Sequence, residues 1–392
     1  KQKKNEAQSK RDWMDLCGGG MSEHRFPYKW TLKDAIFTKD KGKVFSCFSC
    51  GGGSTMGYKL AGFDVIGCNE IDPKMMEAYI ANHNPKYPFL EPIQTFKDRT
   101  DLPQELYELD ILDGSPPCSS FSMAGNREKD WGKDKKFREG QANQVLDTLF
   151  FDFIDLTKKL QPKVVIAENV KGIILGDARK YAIKILEDFD KAGYDTQYFL
   201  LDASDMGVPQ KRERVFFIAM RKDLAEQFLY NADMFTILPK LELQFKETEI
   251  LFKDLLFEDE GKLCEWEGKW MWEKISFGSY SQVHPKQQYF GAIKVNPDDV
   301  CPTVVSNTGS ELFDYRENRH LSKEQLSQVG TYPLDYNYVN VPFKYLIGMS
   351  VPPVMTAQIA TEIYNQWLSK LKKKKKRKYV VPAKRRKYFG KA

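Results

Sequence analysis

From Lys43 onward, apolar residues gather in short runs set apart by glycine and proline, and the runs alternate between strand and helix spacing. Val44 to Phe48 reads as a buried strand, Gly51-Gly52-Gly53 as a turn, and Ser54 as the N-cap of a helix continuing to Ala61. Phe63 to Cys68 predicts a second strand, and Pro73 opens a second helix through Ala81. Further strands are expected at Leu109 to Leu112, Val164 to Ala167, Tyr194 to Leu201 and Arg214 to Met220. Helical spacing covers about Gln141 to Leu160 and Ala182 to Phe189. Strands alternating with helices fold most economically into an open, largely parallel sheet covered on both faces. Its ligand is then expected beyond the carboxyl ends of the strands.

The alternation fades after Lys222. Residues 223–300 mix acidic stretches with Trp266, Trp270 and Trp272 and hold no clear strand–helix–strand unit. A chain of 392 residues exceeds one small core, so a second, smaller domain is expected at 222–344. The first domain then takes 43–221 and is completed by 345–369, where an amphipathic helix from about Val354 to Leu368 packs back on it. Residues 1–42, polar and broken by Gly18-Gly19-Gly20, read as an extension outside the core, and 370–392 as a basic tail.

Charge sharpens that division. Thirteen Lys or Arg and no acid lie in 370–392, and taking them from the net +6 leaves −7 for residues 1–369. A polyanion partner therefore needs local basic surface, and the tail either supplies it or is a solvated terminus. Cysteines at 17, 47, 50, 68, 118, 264 and 301 lack the dense spacing of a disulfide scaffold, so reduced thiols are expected. Cys47-x-x-Cys50 has no second pair to complete four ligands, and no metal site is expected. No apolar run reaches membrane-spanning length, and the Lys-Gln-Lys-Lys start is not followed by an apolar segment. A cytoplasmic protein without membrane association is the expectation.

Four sites at strand ends carry the chemistry. The glycine turn lets a ligand approach the backbone, and Glu70 can accept two ribose hydroxyls, which suits an adenosine-containing cofactor. The dinucleotide spacing G-x-G-x-x-G fails at Met56. Gly114-Ser115-Pro116-Pro117-Cys118 presents a thiol from a proline-stiffened backbone. Trp131 and six Lys or Arg between Arg127 and Arg138 follow it, suited to a nucleic-acid backbone. A thiolate adds readily to an electron-poor ring carbon such as cytosine C6, although one isolated cysteine is more often inert and buried. Glu168-Asn169-Val170 offers a carboxyl for cytosine N3 or merely a surface acid. In Gln210-Lys211-Arg212-Glu213-Arg214, alternate residues of an extended strand share a side, so Arg212 and Arg214 can support the cytosine O2 and the glutamate together.

In this order, from about Val44 to Ile363, the chain resembles the C5-cytosine DNA methyltransferase family, of prokaryotic or phage type. Phe48-Ser49-Cys50-Gly51-Gly52-Gly53 resembles its first cofactor motif, with Cys50 where glycine is usual. Asn69-Glu70-Ile71-Asp72 resembles the ribose segment, and Asp98 aligns with the acid for the adenine amino group. Pro116-Pro117-Cys118 with Phe121-Ser122 resembles the catalytic motif, beside the glutamate and arginine motifs above. Arg319-His320-Leu321-Ser322 with Glu324 and Tyr332-Pro333 resembles the ninth motif, and Gly348-Met349-Ser350-Val351-Pro352-Pro353 the last, with Met349 where asparagine is usual.

The resemblance implies a Rossmann-like, S-adenosylmethionine-dependent methyltransferase sheet with a smaller target-recognition domain. It implies catalysis by Cys118, Glu168, Arg212 and Arg214, and cofactor contacts from Phe48, Gly51, Gly52, Gly53, Glu70, Ile71, Asp98, Pro116, Ser350 and Val351. Ser122, Asn169, Gln210 and Thr303 would face the DNA. Double-stranded DNA is the implied partner of a monomer, with room for a cognate restriction endonuclease acting separately. An RNA methyltransferase of the same fold and an inactive DNA-binding relic are the alternatives. The transfer-RNA branch usually shows Cys-Phe-Thr, which is absent here.

Overall fold

The computed structural model describes residues 24–117, 148–226, 241–258, 269–307 and 309–371, together with a two-stranded ribbon of Asp134–Lys135 and Gln144–Val145. Seven strands build the main sheet: β1 (Lys43–Cys47), β2 (Asp64–Glu70), β3 (Tyr87–Leu90), β4 (Ile111–Gly114), β5 (Val164–Val170), β6 (Tyr194–Asp202) and β7 (Glu213–Arg221). Their order is β3-β2-β1-β4-β5-β7-β6. Only β7 runs antiparallel to its neighbours, β5 and β6. The chain winds outward from β1 to β3 and then crosses back to β4, so the order reverses between β1 and β4. That reversal opens the crevice where open α/β sheets take their ligands.

Both faces of the sheet are buried, and strand alternation divides them. Val165, Ala167, Val215, Phe217 and Ala219 point into one core, shared with α3 (Ile93–Asp98), α4 (Leu149–Leu160) and α5 (Arg179–Lys191). Val164, Ile166, Phe216, Ile218 and Met220 point into the other, against α1 (Gly53–Leu60) and α8 (Pro353–Gln366). Each fully buried side chain of this size contributes about 1.5–3 kcal/mol, which accounts for the unbroken apolar runs of β5 and β7.

A third core joins α1 and α2 (Pro73–His83) to α6 (Lys323–Val329) and α7 (Phe343–Met349), through Met56, Met75, Ala78, Leu326 and Leu346. Trp30 belongs to it, donating from Nε1 to the Thr331 carbonyl at 2.9 Å. The described part of the N-terminal segment thus packs into a core, contrary to its reading as a separate extension. Three two-residue strands, β8 (Gly278–Ser279), β9 (Ile293–Lys294) and β10 (Leu312–Phe313), form a small sheet beside a cluster of Met271, Ile275, Tyr280, Ala292 and Phe313. Among the described residues no helix is long and apolar enough to cross a membrane.

Local details differ from the sequence reading. The N-cap of α1 is Gly52, at φ 84°, and Ser54 lies within the helix with its hydroxyl turned to Asp113. β3 was not expected, because Tyr-Pro-Phe-Leu carries a proline, which a strand tolerates at a sheet edge. α4 begins at Leu149 rather than Gln141, the ribbon strand Gln144–Val145 occupying part of the difference.

Candidate active site

After β1 the backbone turns through Phe48, Cys50 and Gly52, at φ 51°, 48° and 84°. Two non-glycine residues hold this disfavoured conformation because the turn is pinned. The Cys50 N–H donates to Glu70 Oε2 at 2.7 Å, and the Gly52 N–H donates to the Ser49 carbonyl at 2.8 Å. Glu70, ending β2, also accepts from the Ile71 and Asp72 amides, both at 2.9 Å. A carboxylate offers about four acceptor sites, so the backbone takes most of them and leaves about one, not two, for a ribose. Burial pushes the Glu70 carboxyl up, and the amides draw it back.

The three glycines answer to packing by the chain itself. A Cβ on Gly51 would lie 2.6 Å from Leu346, on Gly52 2.3 Å from His83, and on Gly53 2.5 Å from the Val351 carbonyl. Val351 therefore lies against the turn, as does Ser350, whose hydroxyl donates to the Leu346 carbonyl at 2.8 Å. Phe48 packs toward Phe153, with ring centroids 6.4 Å apart.

Asp98 is not brought to this crevice. It ends α3 with its side chain 74% exposed, beside Lys97 at 3.3 Å. The acid that the fold puts at the end of β3 is Glu91. Its N–H donates to the Glu70 carbonyl at 3.0 Å, and its carboxylate meets Arg99 at 3.0 Å. Missing β3 hid Glu91, although an acid one residue beyond a short aromatic run was the available signal.

On the other side of the crevice, the Pro116 carbonyl accepts from Asn169 Nδ2 at 3.1 Å, and Asn169 Oδ1 accepts from the Val170 amide at 2.9 Å. Asn169 is buried and anchors the segment leading to Cys118, rather than facing nucleic acid. Cys118 and Ser122 lie outside the described residues. Beside Asn169, Glu168 Oε1 meets Arg214 Nε at 2.9 Å, with the side chains 13% and 16% exposed. Their strands are antiparallel neighbours, pairing Glu168 with Phe216 and Val170 with Arg214. Burial pulls the Arg214 guanidinium down, and Glu168 opposes that.

Arg212 is placed differently from the expectation. Its buried guanidinium donates to the carbonyls of Val304, Gly348 and Ser350 at 3.0, 2.9 and 2.8 Å. β7 begins only at Glu213, so strand alternation does not extend back to Arg212 and it parts from Arg214. Gln210 is buried too, accepting from the Val304 amide at 3.1 Å and donating to the Val329 carbonyl at 3.2 Å. Neither Arg212 nor Gln210 faces a base; both hold the 301–305 segment. Thr303 donates to the Lys211 carbonyl and lines a cavity of about 680 Å3 with Phe290, His320 and Lys344.

Sequence reading also missed Asp113. This buried residue of β4 accepts from Ser46 Oγ, Ser54 Oγ and Tyr58 Oη at 2.7, 2.8 and 2.9 Å, tying β1 and α1 to β4. Burial pushes its carboxyl up to about 6, against the pull of the hydroxyls.

The reversed β7 beside β5, and a crevice flanked by the glycine turn and the Glu168–Arg214 pair, define a Rossmann-like methyltransferase sheet. A solved structure described as a DNA modification methyltransferase encoded within an E. coli prophage has this fold, with TM-score 0.59, 20% identity, and 83% of this chain and 99% of that one covered. The chain belongs to the C-5 cytosine-specific DNA methylase family, whose model matches residues 42–365. It is similar to the Type II methyltransferase M.FnuDI of Fusobacterium nucleatum, 38% identical over 46% of this chain and 48% of that one. It is also similar to the Type II methyltransferase M.NgoPII of Neisseria gonorrhoeae, 36% identical over 55% of this chain and 56% of that one. The chain thus spans about half the length of these curated relatives.

Proposed function

We propose that the chain is a DNA (cytosine-5-)-methyltransferase acting on double-stranded DNA at a specific sequence. The observation that carries this, beyond family membership, is the buried Glu168–Arg214 pair beside the Asn169–Pro116 bond. That bond sets the segment entering Cys118 alongside a carboxyl suited to cytosine N3.

The target cytosine leaves the stack, since its ring carbons are out of reach within a duplex. The Cys118 thiolate forms a bond to C6 while Glu168, held by Arg214, supplies a proton to N3. S-adenosylmethionine supplies the methyl group, as an electrophile for the C5 of the enamine so formed. Loss of the C5 proton to a base or water then expels the Cys118 thiolate. Phe48, the Gly51–Gly53 turn, Glu70, Ile71, Pro116, Ser350 and Val351 would hold the cofactor, with Glu91 in the place expected of Asp98. The donor set fits an adenosine group, with one acceptor site left on Glu70 and a second carboxylate, Glu91, at the adjoining strand end.

Residues 222–344 would be the recognition domain, with Thr303 and Ser122 toward DNA. Arg212, Gln210 and Asn169 take positioning roles. The working form would be a cytoplasmic monomer, with a cognate restriction endonuclease acting separately.

Bisulfite sequencing of DNA from a host expressing the protein tests the activity. Methylated cytosines in one recurring sequence are expected, and an unmodified genome would overturn the proposal. Cys118→Ala should abolish methylation while S-adenosylhomocysteine still binds. Turnover by that variant, or methylation of transfer RNA in place of duplex DNA, would overturn the assignment of nucleophile or substrate.

A further inference from the structure

His83, the last residue of α2, is buried behind the glycine turn, and its Nδ1 lies 3.2 Å from Lys59 Nζ. Lysine only donates when charged, so Nδ1 accepts and the imidazole carries its proton on Nε2. That Nε2 makes no hydrogen bond of proper geometry among the described residues. It is pressed instead against the turn, where a Cβ on Gly52 would lie 2.3 Å from it. The Gly51 carbonyl is the acceptor beside the ring, and it already receives the Tyr336 hydroxyl. A buried donor without a partner is costly, and this one is aimed at the backbone proposed to bind cofactor.

We infer that His83, with its tautomer fixed by Lys59, is a positioning residue that sets the Gly51–Gly52 peptide for cofactor binding. The inference rests on the cofactor site proposed above. Lys59 faces the ring from α1, Tyr79 from α2 with ring centroids 4.7 Å apart, and Tyr336 from the loop before α7 at 6.3 Å. Lys39 and Asp64 act on Lys59 from beyond. Burial first, then the Lys59 charge, holds the imidazole well below its usual range, so it stays neutral and Nε2 remains a donor.

Calorimetric titration of the full chain with S-adenosylhomocysteine separates positioning from packing. His83→Phe keeps a ring of similar size without a donor, whereas His83→Gln places an amide N–H where Nε2 lies. The Phe variant should bind about 10-fold more weakly, the worth of one hydrogen bond, and the Gln variant should recover most of that. In turnover, the loss should appear in KM for the cofactor rather than in kcat. In Lys59→Met, His83 loses the neighbouring charge, so binding should gain an inflection on the acid side that wild type lacks. Wild-type affinity in the Phe variant, or equal losses in Phe and Gln, would overturn the role. Failure of the wild type itself to bind S-adenosylhomocysteine would instead overturn the cofactor site.

Discussion

Asp113 is a buried carboxylate held by three hydroxyls, and its titration has a definite sign. Its folded value, about 6, lies above the ordinary 3.8, so folding favours the protonated form. The ionised form is penalised increasingly as pH rises from about 4 to about 6, and the penalty is complete above that window. Stability therefore falls as pH rises there, by on the order of 3 kcal/mol at full extent. Asp113→Asn removes the charge, and the urea-unfolding free energy of the variant relative to wild type should rise between pH 4 and 7. A constant difference across that range would show that Asp113 does not titrate there. Arg214 acts on the reaction itself. Arg214→Lys keeps the charge but loses the Nε donor that meets Glu168, and kcat should drop about 100-fold with cofactor affinity preserved. Single-turnover methylation of duplex DNA measures this, and an undiminished rate would take the pair out of the chemistry.

Helix α1 is positioned by contact more than by intrinsic propensity. At Gly57 a Cβ would come within 2.3 Å of the Pro353 carbonyl and 3.0 Å of the Ala357 nitrogen, where α8 crosses α1. Propensity alone favours alanine over glycine in a helix by about 1 kcal/mol. Overpacking against a backbone that cannot yield costs about 1–3 kcal/mol and wins. Gly57→Ala should therefore lower the thermal midpoint, and an unchanged or higher midpoint would mean that α8 moves aside freely. Element type was legible in the sequence where burial is two-sided or periodic, as in β5, β7 and α8. It was not legible where tertiary contacts decide. Ser54 satisfies the local rule for an N-cap, yet Asp113 takes its hydroxyl, and Gly52 opens the helix in the left-handed region. β3 is held by pairing with β2 at a sheet edge, a stabilisation that its own four residues do not announce.

Across the whole molecule, the site residues legible in the sequence were those whose roles follow from a strand end: Glu70, Glu168 and Arg214. Arg212, Gln210 and Asn169 sit in equally recognisable motifs, but their partners lie far away in sequence, and only folding reveals that they hold backbone. Arg212 is the widest of these ties. One guanidinium joins the stretch leading into β7 to the Val304 segment and to Gly348 and Ser350 beside the glycine turn. Recognition segment, cofactor side and catalytic strand thus share one buried cation, which the planar fork of arginine can serve and the single ammonium of lysine cannot. Arg212→Lys leaves buried carbonyls unpaired, at about 1–3 kcal/mol for each group so stranded. Amide hydrogen exchange should then quicken together at 303–305 and 348–351, with DNA and cofactor affinities falling in parallel. Faster exchange in one segment alone, with the other ligand bound as tightly as by wild type, would mean that each segment is anchored independently and that Arg212 couples nothing.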